Sequence, residues 1–260
     1  VLTFSEQVDL TSVDNNNFTL TESAGGSSLA ISGSYSASDQ TTVTLTLIGV
    51  TADNTSLIIS PDYDNATGTI IDKAGNEMSF SETVAGTDKA PPAMLSAVTG
   101  DSNTDGSVDQ IVVTFSEQVD LTNVDNDNFT LTESAGGNPT IASSGVGNNK
   151  YSANNVTSIT FNLAGVAPEN TLLTISPDYN DATGTIIDNA GNEMSFSETV
   201  VGTDGVGPTV AITATNGMIS TPGTAVTSGS TTTDVGIILT FTLSEPSSDF
   251  DIADIDLSSA

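Results

Sequence analysis

Apolar and polar residues alternate with a period of two along several short stretches of the chain. The alternation is clear in TVTLTLI (42–48), in SITFNL (158–163) and in FTLT, which occurs at 18–21 and at 129–132. This pattern predicts β-strands with one buried face, and the enrichment in Thr and Val suits a pleated sheet. Gly, Asn, Asp and Pro interrupt the stretches roughly every 8 to 12 residues, as turns between strands do. No stretch has a helical period, so the chain is predicted to be all-β.

Two long sequence copies organise the chain. TFSEQVDLT at 3–11 recurs at 114–122, and AGNEMSFSETV at 74–84 recurs at 190–200. Copies of this length are whole domains rather than solenoid units. About seven short strands in roughly 115 residues indicate an antiparallel β-sandwich of the immunoglobulin-like type. The fold class predicted is therefore a tandem array of such sandwiches.

The repeats divide the chain into three parts. Residues 1–88 (the first repeat) lack a counterpart of the segment 89–111 and are predicted to lack their first strand. Residues 89–204 (the middle repeat) are complete, and residues 205–260 (the third segment) form part of a domain of a divergent type. We expect the sequence to be a section of a longer polypeptide.

Large apolar residues at the inward positions of the predicted strands should form two separate cores. The first core is predicted to contain Phe4, Phe18, Leu45, Leu47 and Phe80, and the second Phe115, Phe129, Phe161, Leu163 and Phe196.

Charge excludes several classes of function. The chain has 33 acidic residues against three lysines, a formal net charge of −30, and no Arg, His, Cys or Trp. A surface this acidic cannot bind nucleic acid or an anionic membrane, and zinc sites or nucleophile pairs that use His or Cys are excluded. No apolar run approaches the ~20 residues of a spanning helix, so no membrane insertion is predicted for this segment. The carboxylates repel one another, so divalent cations at defined sites are favoured as counter-charges.

The stretch DSNTDGSVDQ (101–110) has the spacing of a calcium-binding loop. Alternate oxygen-bearing side chains on a tight turn converge as calcium requires, although the Glu expected at the twelfth position is replaced by Val112. The alternative is an Asn/Asp/Gly turn whose side chains bond their own backbone. We favour calcium, with Gly106 permitting the turn and with ligands from Asp101, Asn103, Asp105, Ser107 and Asp109.

A second set of acidic residues lies where successive repeats join. Because neighbouring antiparallel strands begin and end at the same pole, the linker residue Asp88 should lie near Glu117 and Asp120. By the same argument Asp204 should lie near Glu245. Calcium at these junctions would hold neighbouring domains in a stiff rod, whereas the alternative is a strand end and a turn cap without metal.

Other acidic and amide-rich stretches are interpreted as structural. Asp72 and Asp188 begin the turns of IIDKAGNEM and IIDNAGNEM, and we interpret them mainly as turn residues. VDNNNF (13–18) and VDNDNF (124–129) are interpreted as solvated loops. Five sequons permit glycosylation without demonstrating it, at Asn17, Asn54, Asn65, Asn128 and Asn155.

The order of motifs resembles a known family. D-x-x-P-P, TFSE, NFTLT and IIDxAGNE, in that order, resemble the tandem bacterial-type immunoglobulin-like domains of large adhesins, biofilm-associated proteins and surface-layer proteins. The segment LTFTLSEPSSDFDIADIDLS (239–258) resembles a biofilm-protein variant. The resemblance implies the sandwich fold and an extracellular, cell-surface setting, and it does not choose among spacer, polymer and adhesive roles.

The leading hypothesis is an extracellular structural protein. A calcium-stiffened array would form an adhesin stalk, a surface filament or a surface layer, with calcium and neighbouring copies of the chain as partners. A neighbouring copy would then donate the first strand of the first repeat. The alternative is a calcium-dependent glycan- or surface-binding adhesin module. No enzyme is predicted, because carboxylates this common make any pair uninformative and four Tyr without Trp leave little to stack on a sugar.

Overall fold

The computed structural model places strands along nearly every described part of the chain. It describes residues 1–22, 30–33, 35, 37–48, 57–64, 68–79, 81–134, 139–142, 151, 153–165, 172–178, 180, 184–218, 221–231, 233 and 236–256. The described residues are β-strands, turns and three short 3₁₀ segments, which confirms the all-β class. None of their helices is long or apolar enough to cross a membrane.

The strands follow the two sequence copies. The first repeat contains β1 (Leu2–Asp9), β2 (Phe18–Glu22), β3 (Ala30–Ser32), β4 (Gln40–Val43), β5 (Thr46–Ile48), β6 (Leu57–Pro61), β7 (Ile71–Asp72) and β8 (Val84–Ala85). The middle repeat contains β9 (Met94–Gly100), β10 (Gln110–Asp120), β11 (Phe129–Glu133), β12 (Thr140–Ile141), β13 (Val156–Ala164), β14 (Leu173–Pro177), β15 (Ile187–Asp188) and β16 (Val200–Thr203). The third segment contains β17 (Val210–Met218), β18 (Thr221–Ala225) and β19 (Ile237–Leu243).

In the middle repeat all eight strands are hydrogen-bonded into one sheet. Their order is β11-β14-β16-β9-β10-β13-β12, and β15 pairs with β10 outside this path. β9 is the centre of the arrangement, because it pairs antiparallel with β10 along one edge and parallel with β16 along the other. The pairing therefore joins the two sheets that the sandwich prediction would separate.

The first repeat has the same local pairings without that central strand. β1 pairs with β4 and β7, β2–β6–β8 form a second small sheet, and β3 pairs with β5. In the third segment β17 pairs with both β18 and β19. Strand pairs of all sheets stay within the three ranges read from the repeats.

The apolar cores contain most of the predicted residues. Phe115, Phe129, Phe161 and Leu163 are buried in the middle repeat, and Phe18 is buried in the first, where Phe4 and Leu45 pack against the core. The prediction for Phe196 is wrong: it is 74% exposed, because it lies in the turn that precedes β16 rather than in a strand. Phe80 lies outside the described residues.

The acidic runs at 13–18 and 124–129 are not solvated loops. Asp14 and Asp125 each begin a 3₁₀ turn (Asn15–Asn17 and Asn126–Asn128) with a reciprocal capping box to the last Asn. Asn17 and Asn128 are fully buried, and their side-chain amides donate to the carbonyls of Gly68 and Gly184. A glycan needs that amide nitrogen, so the folded repeats leave these two sequons unavailable.

Candidate metal centre

Three acidic side chains from separate parts of the chain meet at the start of the middle repeat. One carboxylate oxygen of Asp88, one of Glu117 and one of Asp188 all lie within 4.8 Å of one another. Asp88 is half-buried, whereas Glu117 is 3% exposed and Asp188 is 2% exposed. We call these residues the acidic triad. It forms where the linker from the first repeat reaches the middle repeat.

β10 places Glu117 in the protein interior. Every second residue of β10 from Ile111 to Val119 is buried, and Glu117 takes one position in that row. The register between β10 and β13 shifts between Thr114 and Val119, so the strand is irregular at this point. Irregularities of this kind re-aim side chains near sites. A carboxylate at an inward position costs free energy unless a partner or a cation compensates its charge.

The turn after β15 holds Asp188 in one orientation. Its Oδ1 accepts hydrogen bonds from the backbone N–H groups of Ala190 and Asn192 (both 2.8 Å), and its Oδ2 accepts from the Asn192 side chain (2.6 Å). Gly191 allows the turn, with φ of 86°. β15 pairs with β10 so that Asp188 lies opposite Val119, two residues from Glu117. The turn therefore fixes the second carboxylate beside the first.

The linker brings the third carboxylate and is itself attached to the middle repeat. Asp88 Oδ1 accepts from the N–H of Ala90 (2.9 Å), and the Asn192 side chain donates to the Ala90 carbonyl (3.3 Å). Farther on, Ala93 donates to the Ser116 hydroxyl (3.0 Å), and the Ser116 N–H donates to the Ala93 carbonyl (2.8 Å). These contacts hold the linker along the start of the repeat that follows it.

The chemistry of the triad is compatible with a bound cation. Two unit charges 4 Å apart repel by about 1 kcal/mol in water and about 4 kcal/mol at a protein surface. Lys89 adjoins Asp88 in sequence but forms no ion pair in the described part of the chain, where the one pair joins Lys73 and Asp39. Carboxylate oxygens without His or Cys favour hard cations such as Ca²⁺ or Mg²⁺. The triad can therefore hold a metal ion.

Asp120, which the sequence predicts near Asp88 together with Glu117, is not a member of the triad. It follows Glu117 by three residues, so the period of the strand turns it toward the opposite face. Its Oδ1 accepts the backbone N–H of Thr122 (2.8 Å) and so begins the next turn.

The junction between the middle repeat and the third segment has the same kind of linker hydrogen bonds, but it has no acidic triad among the described residues. Thr209 donates to the Ser244 hydroxyl (2.8 Å) and accepts from the Ser244 N–H (3.0 Å), as Ala93 does with Ser116. Asp204 accepts from the N–H of Val206 (3.0 Å), and Glu245 follows Ser244 at the end of β19. Among the described residues no third carboxylate joins these two in a group like the triad. A metal at this junction stays a prediction.

The loop between β9 and β10 contains the calcium-like spacing, and its first half bonds its own backbone. Asp101 accepts from the N–H groups of Asn103 (3.2 Å) and Gly106 (2.8 Å). Burial raises the pKa of Asp101, but the N–H groups of Gly106 and its neighbours outweigh this effect and hold the pKa below its ordinary value. Thr104 and Gly106 have positive φ (59° and 82°), so the sharp turn predicted at Gly106 is present.

The second half of the loop is organised in the same way. Asp105 accepts from the N–H of Ser107 (2.9 Å), and Asp109 accepts from the N–H and the hydroxyl of Ser102 (2.7 and 2.6 Å). The carboxylates of Asp101, Asp105 and Asp109 do not form a group as close as the triad. The hydrogen bonds are those of the self-bonded turn given above as the alternative, and calcium at this loop stays a prediction.

Asp188 is the triad residue that the sequence did not assign to a metal. The sequence predicts the turn hydrogen bonds of Asp188. It does not predict that Asp188 also lies opposite Val119 in the β10–β15 pair. A signal was available in the sequence. In both copies IID ends on an acidic residue directly before a turn.

Comparisons of the chain with family models, with curated proteins and with solved structures found no match. The first and middle repeats can be compared with each other instead.

Proposed function

We propose that this chain is part of an extracellular structural array of immunoglobulin-like domains, in which a calcium ion at the acidic triad fixes the junction between two repeats. The observation that carries the proposal is the origin of the three ligands. Asp88 belongs to the linker, whereas Glu117 and Asp188 belong to the body of the middle repeat. An ion bound by all three ties the linker to the domain that follows it.

Calcium suits the composition of the triad. Calcium takes six to eight oxygen ligands, so three carboxylates supply part of the shell and water completes it. Asp188 Oδ1 already accepts two N–H groups, whereas its Oδ2 accepts one from Asn192 and keeps a second lone pair for a cation. Extracellular calcium modules bind in the range of roughly 10⁻⁴ to 10⁻³ M, which is where a site with few ligands and bound water belongs.

The role proposed for the ion is mechanical. A ligand that binds only the folded state stabilises it by about 2.7 kcal/mol at a hundredfold excess over Kd. Small polar contacts between domains otherwise leave them free to move. Ions at successive junctions would turn a flexible chain of domains into a rod, as a stalk, filament or surface layer requires.

The alternative of a glycan-binding module depends on an open calcium site at the Asp101 loop. There the side chains of Asp101, Asn103 and Asp105 accept N–H groups of their own loop. The buried, convergent carboxylates of the triad support the structural role instead.

The test is thermal unfolding of the chain in calcium and in chelator, combined with small-angle X-ray scattering for its length. We expect calcium to raise the melting temperature of the middle repeat and to lengthen and stiffen the particle. Asp188→Asn should remove both effects.

Asp72→Asn is the matched control for this test. Asp72 accepts the same turn hydrogen bonds in the first repeat, where the described residues offer no linker carboxylate. It should lower stability without changing the calcium response. Equal melting temperature and length with and without calcium would overturn the proposal.

A further inference from the structure

The linker that leaves the middle repeat (residues 204–209, the second linker) continues along β9 after β16 ends. β16 pairs parallel with β9 as far as Thr203, which lies opposite Val98. The next residue of β9, Thr99, is buried. Its hydroxyl donates to the Thr203 carbonyl (3.3 Å) and accepts from the Gly205 N–H (3.1 Å). One buried side chain therefore extends the β9–β16 contact into the linker.

The second linker also contributes a side chain to the core of the middle repeat. Val206 is 9% exposed and belongs to the same apolar core as Val108 and Ile111. The carboxylate of Asp204 accepts the Val206 N–H (3.0 Å), so the chain turns at this point. Removing an apolar side chain from water is favourable in proportion to the area buried. Val206 therefore holds the linker against the domain that precedes it.

Gly205 allows the linker to lie directly on the end of β9. A Cβ atom at Gly205 would collide with the Thr99 carbonyl oxygen and with the Val98 side chain, whereas a Cβ atom at Gly207 would meet nothing within 4 Å. The linker between the first and middle repeats, GTDKAPPAM, has Lys89 at the position of Gly205 in GTDGVGPTV. The close approach therefore involves one of the two linker glycines and a residue type that the other linker does not have there.

The third segment holds the chain again only three residues after Val206. There the backbone N–H of Thr209 donates to the Ser244 hydroxyl, at the end of β19. Gly207 and Pro208 are the two residues between these attachments, and both are exposed. The ring of Pro208 fixes its φ angle. Freedom of movement between the middle repeat and the third segment is thus confined to a very short stretch.

We propose that Thr99, Gly205 and Val206 form a metal-independent anchor that makes the second linker part of the middle repeat, with Gly207 and Pro208 as the pivot to the third segment. The anchor uses a hydroxyl group, a close backbone contact and an apolar side chain, none of which requires a cation. The junction at the acidic triad differs in this respect, a contrast that rests on the proposed calcium function. Removing calcium should loosen that junction and leave the second one unchanged.

The first test follows backbone hydrogen exchange of the intact chain in chelator. We expect exchange at the Gly205 amide to be slowed by about tenfold or more relative to an unstructured peptide. Gly205→Ala should abolish this protection, whereas Gly207→Ala is the matched control and should retain it. No protection in the parent chain, or equal protection in the two variants, would overturn the proposal.

A second variant covers the case in which Gly205→Ala disturbs the whole domain, which the amides of β10 and β13 would report. Thr99→Val removes the hydroxyl group and keeps the shape of the side chain. It should speed exchange at the Gly205 amide while the amides of β10 and β13 stay protected. Unchanged exchange at Gly205 in this variant would exclude Thr99 from the anchor.

The second test measures distances between spin labels by pulsed electron paramagnetic resonance, in calcium and in chelator. The chain has no Cys, so labels can be attached at introduced pairs. Thr132→Cys with Thr240→Cys spans the second junction, and Thr42→Cys with Thr132→Cys spans the first, all at exposed positions. Chelator should broaden the distance distribution across the first junction only. Gly205→Ala should broaden the distribution across the second junction in both conditions.

The outcomes of the distance measurement separate the two proposals. A distribution across the second junction that broadens in chelator would overturn the metal-independent anchor. If neither distribution broadens in chelator, the anchor stands, and the calcium role proposed for the first junction is wrong.

Discussion

The first and middle repeats share long stretches of identical sequence, yet their interiors differ. Ile175 is completely buried in the middle repeat, whereas its counterpart Ile59 is half-buried. Glu117 is 3% exposed, whereas Glu6, in the same TFSEQVDLT sequence, is exposed. The turn hydrogen bonds of Asp72 and Asp188 are nearly the same in the two copies. The linker and β9 cover the middle repeat, and the positions that correspond to them in the first repeat would precede Val1.

The comparison shows that local structure and burial have different origins in this protein. Turns and short strands form in both copies because they depend on neighbouring residues. The buried acidic site depends on a segment that begins 29 residues before Glu117 in the chain, at Asp88. Glu117 and Asp188 are therefore buried in the middle repeat, whereas in the first repeat Glu6 is exposed and Asp72 is half-buried.

The largest effect is expected from a charge at Ala97, on the buried face of β9. Ala97→Glu should destabilise the middle repeat by more than about 3 kcal/mol, since a buried unpaired charge is among the most costly substitutions. It should leave the first repeat unchanged, as calorimetry with two resolved transitions would show. Leu95→Glu is the control, because Leu95 lies in the same strand and is 63% exposed. Similar losses from both variants would contradict the central role of β9.

Truncating the matched isoleucines measures how much of the core difference is packing. Ile175→Ala should cost about 2 to 5 kcal/mol in the middle repeat, as is typical of a fully buried site. Ile59→Ala should cost clearly less in the first repeat, because part of that side chain already contacts water. Urea unfolding monitored by circular dichroism supplies both values. Equal costs would mean that the two cores are equally well packed.

Calcium should reverse the effect of neutralising Glu117. In chelator, Glu117→Gln removes one of three like charges and should raise the melting temperature of the middle repeat. In calcium the same variant lacks a ligand and should lose up to about 2.7 kcal/mol of stabilisation at a hundredfold excess over Kd. Glu6→Gln is the control and should show no calcium-dependent change. A Glu117→Gln variant that keeps the full calcium response would exclude this residue as a ligand.

The smallest effect is expected at alkaline pH, from one tyrosine in each repeat. Burial, together with the charge of Asp125, raises the pKa of Tyr151 well above its ordinary value of 10.0, and burial raises the pKa of Tyr35. The folded state thus favours the neutral phenol. The stability this gives is complete below about pH 10 and is lost as the pH rises through the folded-state pKa.

Ultraviolet difference titration distinguishes the two phenols. Tyr151 donates to Asn126 at 2.6 Å, and Tyr35 donates to Asn15 at 3.3 Å. Tyr151→Phe should therefore remove a later-titrating phenol and cost about 1 kcal/mol, and Tyr35→Phe somewhat less. If both phenols titrate together near the ordinary tyrosine pKa of 10.0, neither is shielded from water.

Sequence patterns predicted the strands well and the site only partly. Alternation located β2, β11 and β13, and the repeat spacing located the loop between β9 and β10. Strand topology predicted that Asp88 lies near Glu117, because neighbouring antiparallel strands begin and end at the same pole. Asp120, predicted to lie near Asp88 together with Glu117, is not a member of the triad. The turn predicted at Asp188 is present, but its place beside Glu117 was not predicted. Both outcomes depend on strand register, which sets the face and the partner of a side chain.

The sequence alone determined the all-β class, the turns at Gly106 and Gly191, and the acidity of the chain. These features depend on residue type and on short-range spacing. Only the tertiary structure decided that Asp188 joins Asp88 and Glu117, that Phe196 is exposed, and that β9 lies between β10 and β16. Those outcomes depend on contacts between residues far apart in the chain. Local patterns carry little information about such contacts, because many registers satisfy the same alternation.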